Sequence, residues 1–450
     1  MPSLAASTYY QPPAYFWIPQ ATNTPKVDLL GRILIGLYGF LLSFPRPFSI
    51  GERVQGNSLM ERLAPADALL VIVLIFTVAR LRTSFPPALA AWFTFTVVAG
   101  ISAAVAWVEN GAPIIFLIAA VLACYALFNA FGYEELRAAA GKGFIIGLIL
   151  LELLVYYDSF NAITGRQILY ADQVGRVRGP FYMSSQLGQF LFGSVFFTFS
   201  LSLMDMGKKW KYMAGAVALA AVPVMILTGR RSATIGCVCG LIALLVNKRW
   251  RGKIVVLLLL VAMVFVSMAI FSQTNSFTAK IYHRFTGMTP EIEAPSNKFF
   301  EEQAVSAVDA FNSAPILGVG LGAYQYKFSP SNHELHDTYL SVMAETGILG
   351  SAFFIVSFTL TIAVVVKTLF KRNSPSWTLP LAAYALASFV SAFHNVLFRD
   401  RLFWLCFALL LAHWHFGTKA PFTVRKLMLV RPPSLPNRSS NKSPPARAKA

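Results

Sequence analysis

Long apolar runs separated by short polar connections make up most of the chain. Runs of membrane-spanning length lie at residues 29–45, 64–80, 88–107, 112–131, 143–160, 184–204, 210–228, 232–247, 254–272, 341–366, 379–398 and 402–417. A helix needs about 20 apolar residues to cross a bilayer core of roughly 30 Å, whereas a barrel strand shows about ten alternating residues. The pattern therefore predicts an all-α, polytopic membrane protein with about 12 transmembrane helices, the first and the eighth being short.

One hydrophilic stretch, from Gln273 to about Glu345, interrupts this pattern. Within it, residues 296–310 place apolar side chains at helical spacing, which predicts a helix lying along the membrane surface. The predicted organisation has five parts: a polar tail at 1–27, a bundle of about nine helices at 28–272, a loop at 273–340, three helices at 341–417 and a basic, disordered tail at 418–450.

Lysine and arginine residues predict the orientation of the bundle, because cytoplasmic loops are enriched in both. An even number of spans places both termini on one side. With that side cytoplasmic, the basic clusters at 80–82, 208–211, 248–253 and 367–372 and the basic tail lie inside, and the 273–340 loop faces the periplasm. Topology and attraction to anionic lipid then account for much of the net charge of +18, so the charge does not indicate nucleic-acid binding.

Composition supports the membrane class and argues against a metal centre. The chain is 56% hydrophobic and 13% charged, whereas soluble proteins have about 25% charged residues. Its four cysteines fall inside predicted spans and lack zinc-ligand spacing. His333 and His336 lie three apart in a loop with no clear third ligand. We expect no metal and no cofactor.

Several arginines lie on the predicted outer side, against the charge rule. Arg176 and Arg178 occupy the loop between the fifth and sixth spans, Arg231 lies in a short turn between two spans, and Arg399 and Arg401 flank Asp400 in another turn. Charge close to the membrane is costly unless it is paired or used. A guanidinium binds phosphate oxygens through two parallel hydrogen bonds, so these positions predict a site for an anionic headgroup.

His336 is the main candidate for chemistry in the hydrophilic stretch. It lies between the glycine-rich segment 315–322 and the glycines Gly347 and Gly350 at the entry to the next apolar run. A neutral imidazole at a membrane surface is suited to act as a general base near pH 7. The following Asp337 has two possible roles: it orients the histidine, or it caps the next helix.

These motifs resemble those of the O-antigen ligase and O-antigen polymerase superfamily. His336-Asp337, followed by Gly347 and Gly350, is similar to the family's histidine motif, although Asp337 stands where an amide or hydroxyl is usual. The blocks 176–181 and 227–233 resemble two further family blocks in the same order.

The resemblance implies a GT-C-like, metal-independent, inverting glycosyltransferase in the bacterial inner membrane, with its active site facing the periplasm. Its implied donor is a glycan on undecaprenyl pyrophosphate, and its implied acceptor is a glycan or the lipid A core. The resemblance assigns His336 as base and Arg231, with Arg178 or Arg176, to the pyrophosphate; Arg284 is a lesser candidate. The base and arginines should lie within several ångströms of each other in one cavity.

Three alternatives stay open from the residues. Polymerase and ligase differ in their acceptor, which nothing in the sequence identifies. A transporter, such as a flippase for lipid-linked oligosaccharides, predicts internal repeats and ionisable residues near the bilayer midplane, and no convincing repeat is present. A purely structural membrane subunit leaves the outer arginines unexplained.

Overall fold

The computed structural model describes residues 28–44, 65–81, 83–108, 111–166, 168–169, 177–181, 183–245, 247, 250–286, 290–329, 334–371, 374–397 and 400–416. Within these ranges the fold is helical, as predicted. The helices are α1 (Leu29–Leu41), α2 (Pro65–Arg80), α3 (Pro87–Val105), α4 (Ala112–Phe131), α5 (Glu134–Ile163), α6 (Ser184–Leu201), α7 (Lys208–Leu227), α8 (Arg231–Leu244), α9 (Arg251–Phe271), α10 (Ser276–Thr286), α11 (Pro290–Ser313), α12 (Tyr324–Lys327), α13 (Thr338–Phe370), α14 (Thr378–Ser391) and α15 (Arg401–Phe416).

A helix lies at each of the predicted apolar runs. Of the described helices, six are long and apolar enough to cross a membrane: α3, α4, α5, α7, α9 and α13. The apolar helices α1, α8, α14 and α15 are shorter. The all-α, polytopic membrane class is therefore confirmed, while the number of spans stays a prediction. The helix predicted at residues 296–310 is also present, within α11.

Close helix packing depends on small residues where α1 crosses α5. A Cβ on Gly143 would lie 1.9 Å from the carbonyl oxygen of Gly36, and one on Gly39 would lie 2.3 Å from that of Ala140. Small residues let two membrane helices approach until their backbones touch, which increases their packing contact. Larger side chains at either glycine would force α1 away from α5.

Aromatic side chains fill the centre of the bundle. Trp92 of α3 contacts Trp404 of α15 and Phe354 of α13 edge to face, with ring centroids 5.1 and 5.8 Å apart. Its indole N–H donates to the hydroxyl of Thr361 at 2.9 Å, which satisfies the buried polar atom. This packing joins α3, α13 and α15 at the core.

The two ends of the bundle differ in chemistry. At the charged end, where α5, α7 and α9 begin and α13 ends, cations lie over tryptophan rings. Arg137 lies 5.6 Å from the Trp377 centroid, and Lys367 and Lys371 each lie 4.4 Å from that of Trp414. The opposite end, where α6, α8, α13 and α15 begin, carries α11 and the glycine-rich segment, and we call it the loop end.

Arg401 and Asp400 at the loop end have separate partners. Arg401 forms an ion pair with Asp67 of α2. The Asp400 carboxylate accepts from the Tyr384 hydroxyl at 2.6 Å and from Gln189 at 3.2 Å, and it caps α15. Arg401 is thus paired with a carboxylate from another helix, although Asp400 lies beside it in sequence. Arg399 lies outside the described residues.

Candidate functional site

The hydrophilic stretch folds around a small second hydrophobic core at the loop end. Its buried members come from α11, from the glycine-rich segment and α12, from the residue before His336 and from the start of α13: Ala307, Ala310, Val319, Ala323, Tyr324, Leu335 and Ala344. Burial of apolar side chains at several points along the stretch fixes its path. His336 is therefore held by a packed substructure.

The glycine-rich segment, residues 315–322, is paired with a kink in α13. At this kink Gly347 has a φ of 63° and a ψ of −164°, a conformation that favours glycine. A Cβ on Gly347 would lie 2.5 Å from the amide nitrogen of Gly318. Four backbone hydrogen bonds of 2.8–3.1 Å join this segment to the kinked part of α13: Val319 N to Ala344 O, Gly320 N to Glu345 O, Ile348 N to Pro315 O, and Leu349 N to Ile316 O.

A buried carboxylate strengthens the same junction. Glu345 is 6% exposed, and it accepts from the backbone N–H of Gly322 at 3.0 Å and from the Ser341 hydroxyl at 2.9 Å. The Ser102 hydroxyl of α3 donates to its backbone carbonyl, also at 2.9 Å. Hydrogen bonds of this kind offset the cost of burying a charge. Glu345 thus ties the glycine-rich segment to α13 and α3.

The ring of His336 is oriented by a backbone carbonyl. Its Nδ1 lies 2.8 Å from the carbonyl oxygen of Glu334. Since a carbonyl oxygen only accepts, Nδ1 must carry a proton, and in the neutral ring the lone pair is then on Nε2. The ring also meets Phe299 edge to face, with centroids 5.9 Å apart. The geometry therefore presents Nε2 as the basic nitrogen.

Gln303 of α11 forms hydrogen bonds to the backbone of Glu334 and His336. It is 3% exposed; its amide Nε2 donates to the Glu334 carbonyl at 2.9 Å, and its Oε1 accepts from the backbone N–H of His336 at 3.5 Å. The side-chain amide thus supplies both a donor and an acceptor to the backbone of this segment, as a peptide group would. Sequence reasoning missed Gln303, because a single glutamine on a helix carries no motif.

Asp337 caps α13. Its Oδ1 accepts from the backbone N–H groups of Tyr339 at 2.7 Å and Leu340 at 3.0 Å. Burial raises the pKa of this carboxyl, while the two backbone hydrogen bonds and the nearby His394 act against that rise. Of the two roles open from the sequence, the structure shows the cap. The His336 Nδ1 is hydrogen-bonded to the Glu334 carbonyl, and the role of Asp337 as an orienter of the histidine stays a prediction.

The arginine turn before α8 contains two guanidinium groups. Arg231 is the first residue of α8, where the helix dipole favours anions, and its side chain is half-buried. The preceding Arg230 donates from Nη2 to the backbone carbonyl of His394 at 2.9 Å and to the side-chain oxygen of Asn395. The sequence prediction named Arg231 alone, although the adjacent arginine was a visible signal.

A turn between α14 and α15, residues 392–397, joins the histidine segment to the arginine turn. On one side, the backbone N–H of Thr338 donates to Ala392 at 2.9 Å, and the Thr338 hydroxyl accepts from Leu397 at 2.9 Å. On the other side, Asn395 contacts Ser232 at 3.5 Å in addition to Arg230. The residues that flank His336 and Arg231 therefore bind the same turn.

Arg178 lies in a turn, residues 177–181, that leads into α6. Its Nη1 donates to the Phe181 carbonyl at 2.7 Å, which closes the turn. At the start of α6, Gly188 is so close to the arginine turn that a Cβ there would lie 2.9 Å from the Arg230 Cβ. Gln189 donates to Asp400 and accepts from Asn395. Arg178 thus precedes the helix that contacts both turns, whereas Arg176 lies outside the described residues.

Arg284 has a different setting. It lies on α10, which packs on α9 and on the end of α5. Phe285 meets Phe265 of α9 with ring centroids 5.0 Å apart, and Asn275 donates to the Ile163 carbonyl of α5. These contacts are separate from those that bring the His336 segment and the arginine turn together.

Metal ligands do not cluster in the part of the chain that the structure describes. Within it, no group of three or more His, Cys, Asp and Glu residues could hold a metal ion. The four cysteines are free thiols. The described site therefore offers charge through arginines and basicity through an imidazole.

The part of the chain that contains this site is similar to one known family. A search of the curated proteins found no match. Residues 214–355, which contain the arginine turn, α11, the glycine-rich segment, His336 and the kink of α13, match the family model described as O-antigen ligase. This match, over about a third of the chain, confirms the resemblance seen in the motifs.

Proposed function

We propose that this protein transfers a glycan from undecaprenyl pyrophosphate to a sugar hydroxyl at the periplasmic face of the bacterial inner membrane. The family match supports the broader statement, a membrane enzyme of the polysaccharide ligase or polymerase type. The observation that carries the finer proposal is the hydrogen bond from His336 Nδ1 to the Glu334 carbonyl. That bond leaves Nε2 as the base, on a segment bound to the same turn as the arginines.

The proposed reaction needs one base and one cationic site. Nε2 of His336 takes the proton of the acceptor hydroxyl, and the oxygen forms a bond to the anomeric carbon. The bond between that carbon and the pyrophosphate oxygen breaks on the opposite face, so the anomeric configuration inverts. Arg231, with Arg178 or Arg176, binds the departing pyrophosphate in place of a divalent cation, and Arg284 is a lesser candidate for this role.

The orientation in the membrane is part of the proposal. Lys367, Lys371 and Arg137 lie over tryptophans at the charged end, and cations and tryptophans are both enriched at membrane interfaces. We place this end in the cytoplasm and the loop end in the periplasm. Reporter fusions after Arg372 and within the loop at Ser296 should then report opposite sides, and same-side signals would reject the orientation.

The test of the function is a transfer assay with the purified protein in proteoliposomes. Wild-type protein with a lipid-linked oligosaccharide should release undecaprenyl pyrophosphate and form a new glycosidic bond, with inversion at the anomeric carbon. Growth of a lipid-linked chain identifies a polymerase, and attachment to lipid A core identifies a ligase. Absence of both products with either acceptor contradicts the proposal.

A transporter is the second candidate, because α5 buries an ionisable side chain. Glu152 is 5% exposed within a helix of membrane-spanning length, and such residues often mark transport pathways. A flippase would move a fluorescent lipid-linked oligosaccharide across proteoliposomes without consuming it, and Glu152→Gln would abolish the movement. Release of undecaprenyl pyrophosphate with retention of activity in Glu152→Gln decides for the transferase.

A further inference from the structure

The 392–397 turn presents a second histidine that the proposed mechanism does not use. His394 is exposed, and its backbone carbonyl accepts the Arg230 guanidinium at 2.9 Å. The turn that carries it is held beside Thr338 by the backbone hydrogen bond to Ala392. His394 is therefore placed between the arginine turn and the start of α13, at the junction of the two functional segments.

Two neighbouring phenylalanines of α11 connect the two histidines. Phe299 meets the His336 ring with centroids 5.9 Å apart, and Phe300 meets the His394 ring at 5.6 Å. The two phenylalanine rings contact each other at 5.7 Å. Asp337, the residue after His336, also interacts electrostatically with His394. The imidazoles thus border the same aromatic pair.

We propose that His394 binds the diphosphate group of the lipid-linked donor, between the base His336 and the arginine turn. This inference rests on the proposed function and adds a binding residue to it. An imidazole donates one N–H when neutral and two when protonated, so it can bind a phosphate oxygen in either state. A hydrogen bond to a charged phosphate is stronger than one between neutral groups. Arg230 and Asp337 are the charged groups that face His394 among the contacts described above.

The structure separates the binding role of His394 from its role in the fold. Its contact with Arg230 uses the backbone carbonyl, and Asn395 supplies the side-chain contact of the turn. The imidazole itself is exposed and contacts one ring of α11. Truncation of the side chain therefore leaves the hydrogen bonds of the turn in place, so a binding defect can be measured in a folded protein.

The experiment measures binding of undecaprenyl diphosphate to the full-length protein in nanodiscs, with undecaprenol as the probe that lacks the diphosphate. The variants are His394→Ala and His394→Gln. The control is His413→Ala, whose ring lies 5.4 Å from that of Trp377 at the charged end. Loss of a hydrogen bond to a charged group corresponds to about a ten- to hundredfold rise in Kd, which we expect for His394→Ala with undecaprenyl diphosphate. His394→Gln, which keeps an N–H donor, should recover part of the affinity. The His413→Ala control and all undecaprenol values should equal those of wild type.

Each outcome decides a separate point. Wild-type affinity for undecaprenyl diphosphate in His394→Ala overturns this inference and leaves the proposed function intact. Equal loss of undecaprenol and undecaprenyl diphosphate binding assigns His394 to the fold and also overturns it. Wild-type protein that does not prefer the diphosphate to undecaprenol contradicts the donor in the proposed function itself.

Discussion

At the charged end of the bundle, cations lie over aromatic rings: Lys367 and Lys371 share the Trp414 face, and Arg137 lies over Trp377. At the loop end, Arg230 donates to a backbone carbonyl and a side-chain amide of one turn. The first kind of contact tolerates movement along the ring, and an exposed cation–π contact contributes about 0.5–1 kcal/mol. The hydrogen bonds of Arg230 instead fix the position of its guanidinium relative to the 392–397 turn.

The carboxylates of the two ends differ in the same way. At the charged end, Glu135 forms an ion pair with Arg32, and both side chains are about half exposed, a setting in which such pairs contribute about 0–1 kcal/mol. At the loop end, Glu345 is buried and bound by Gly322 and Ser341. Charged groups at the charged end are thus exposed or lie over aromatic rings, whereas those at the loop end are held by specific hydrogen bonds.

The largest expected effect distinguishes two histidine variants, one at each end of the bundle. His336→Ala should lower the rate of glycan transfer by about 10²–10⁴-fold, because it removes the proposed base. Donor binding should stay at the wild-type level. His413→Ala, at the charged end, should transfer at nearly the wild-type rate. The measurement is the initial rate in proteoliposomes, and a two- or threefold loss in His336→Ala would return this histidine to a structural role.

The next effect distinguishes the two neighbouring arginines. Arg231→Ala should weaken donor binding about ten- to hundredfold, through loss of one charge-assisted contact to the phosphate, while the protein still inserts and accumulates. Arg231→Lys should recover only part, since lysine lacks the bidentate fork. Arg230→Ala should instead lower the unfolding temperature, because the 392–397 turn loses its guanidinium partner. Binding and thermal unfolding, measured on the same samples, separate the roles, and equal behaviour of both alanine variants would contradict them.

Gln303 offers a smaller test of how the base is held. Gln303→Leu removes the amide that hydrogen-bonds the backbone of Glu334 and His336. It places an apolar side chain of similar size in the buried position. One neutral hydrogen bond contributes about 0.5–1.5 kcal/mol, so we expect a roughly two- to tenfold fall in kcat, with donor KM unchanged. The Lys298→Leu variant, exposed on the same helix, is the control. A change in KM alone would show that Gln303 shapes the binding site rather than the base.

The sequence predicted the fold class because membrane helices have a strong local signal. Apolar runs of about 20 residues follow from bilayer thickness alone, so each predicted run contains a helix. The glycine pattern was equally informative: Gly347 occupies a positive φ and lies against Gly318, as no larger residue could without strain. His336 and the arginine turn were found through spacing and through resemblance to a family.

The missed residues are those whose role depends on packing between distant segments. His394 and Asn395 are separated from the arginine turn by about 160 residues, and Gln303 from the Glu334 carbonyl by 31. The Asp400 carboxylate similarly accepts a hydrogen bond from Gln189, which is distant in sequence. No local pattern encodes such contacts, so reasoning from the sequence named candidate chemical groups and missed the residues that contact their segments.

The smallest expected effect is that of Asp337→Asn, and it tests whether the carboxylate acts on the helix or on His336. Asparagine caps helices about as well as aspartate, so both backbone hydrogen bonds should survive. Because burial raises the pKa of Asp337, its ionised form costs stability in the fold. This cost is present at pH 7, is relieved as the pH falls through the raised folded-state pKa, and is absent below the unfolded-state pKa. The asparagine variant should therefore be at least as stable as wild type at pH 7, and it should transfer glycan at a rate within about twofold, since Nδ1 of His336 is held by Glu334.

Asp337→Ala is the matched variant that removes the cap, and it should lose about 0.5–2 kcal/mol of stability. Thermal unfolding and the transfer rate, measured together at pH 7, compare the three proteins. If the carboxylate oriented the imidazole, Asp337→Asn would keep its stability but lose rate as severely as His336→Ala. A stable and active asparagine variant, beside a less stable alanine variant, is the result that the cap geometry requires, because only the hydrogen-bond acceptor, and not the charge, is then needed at this position.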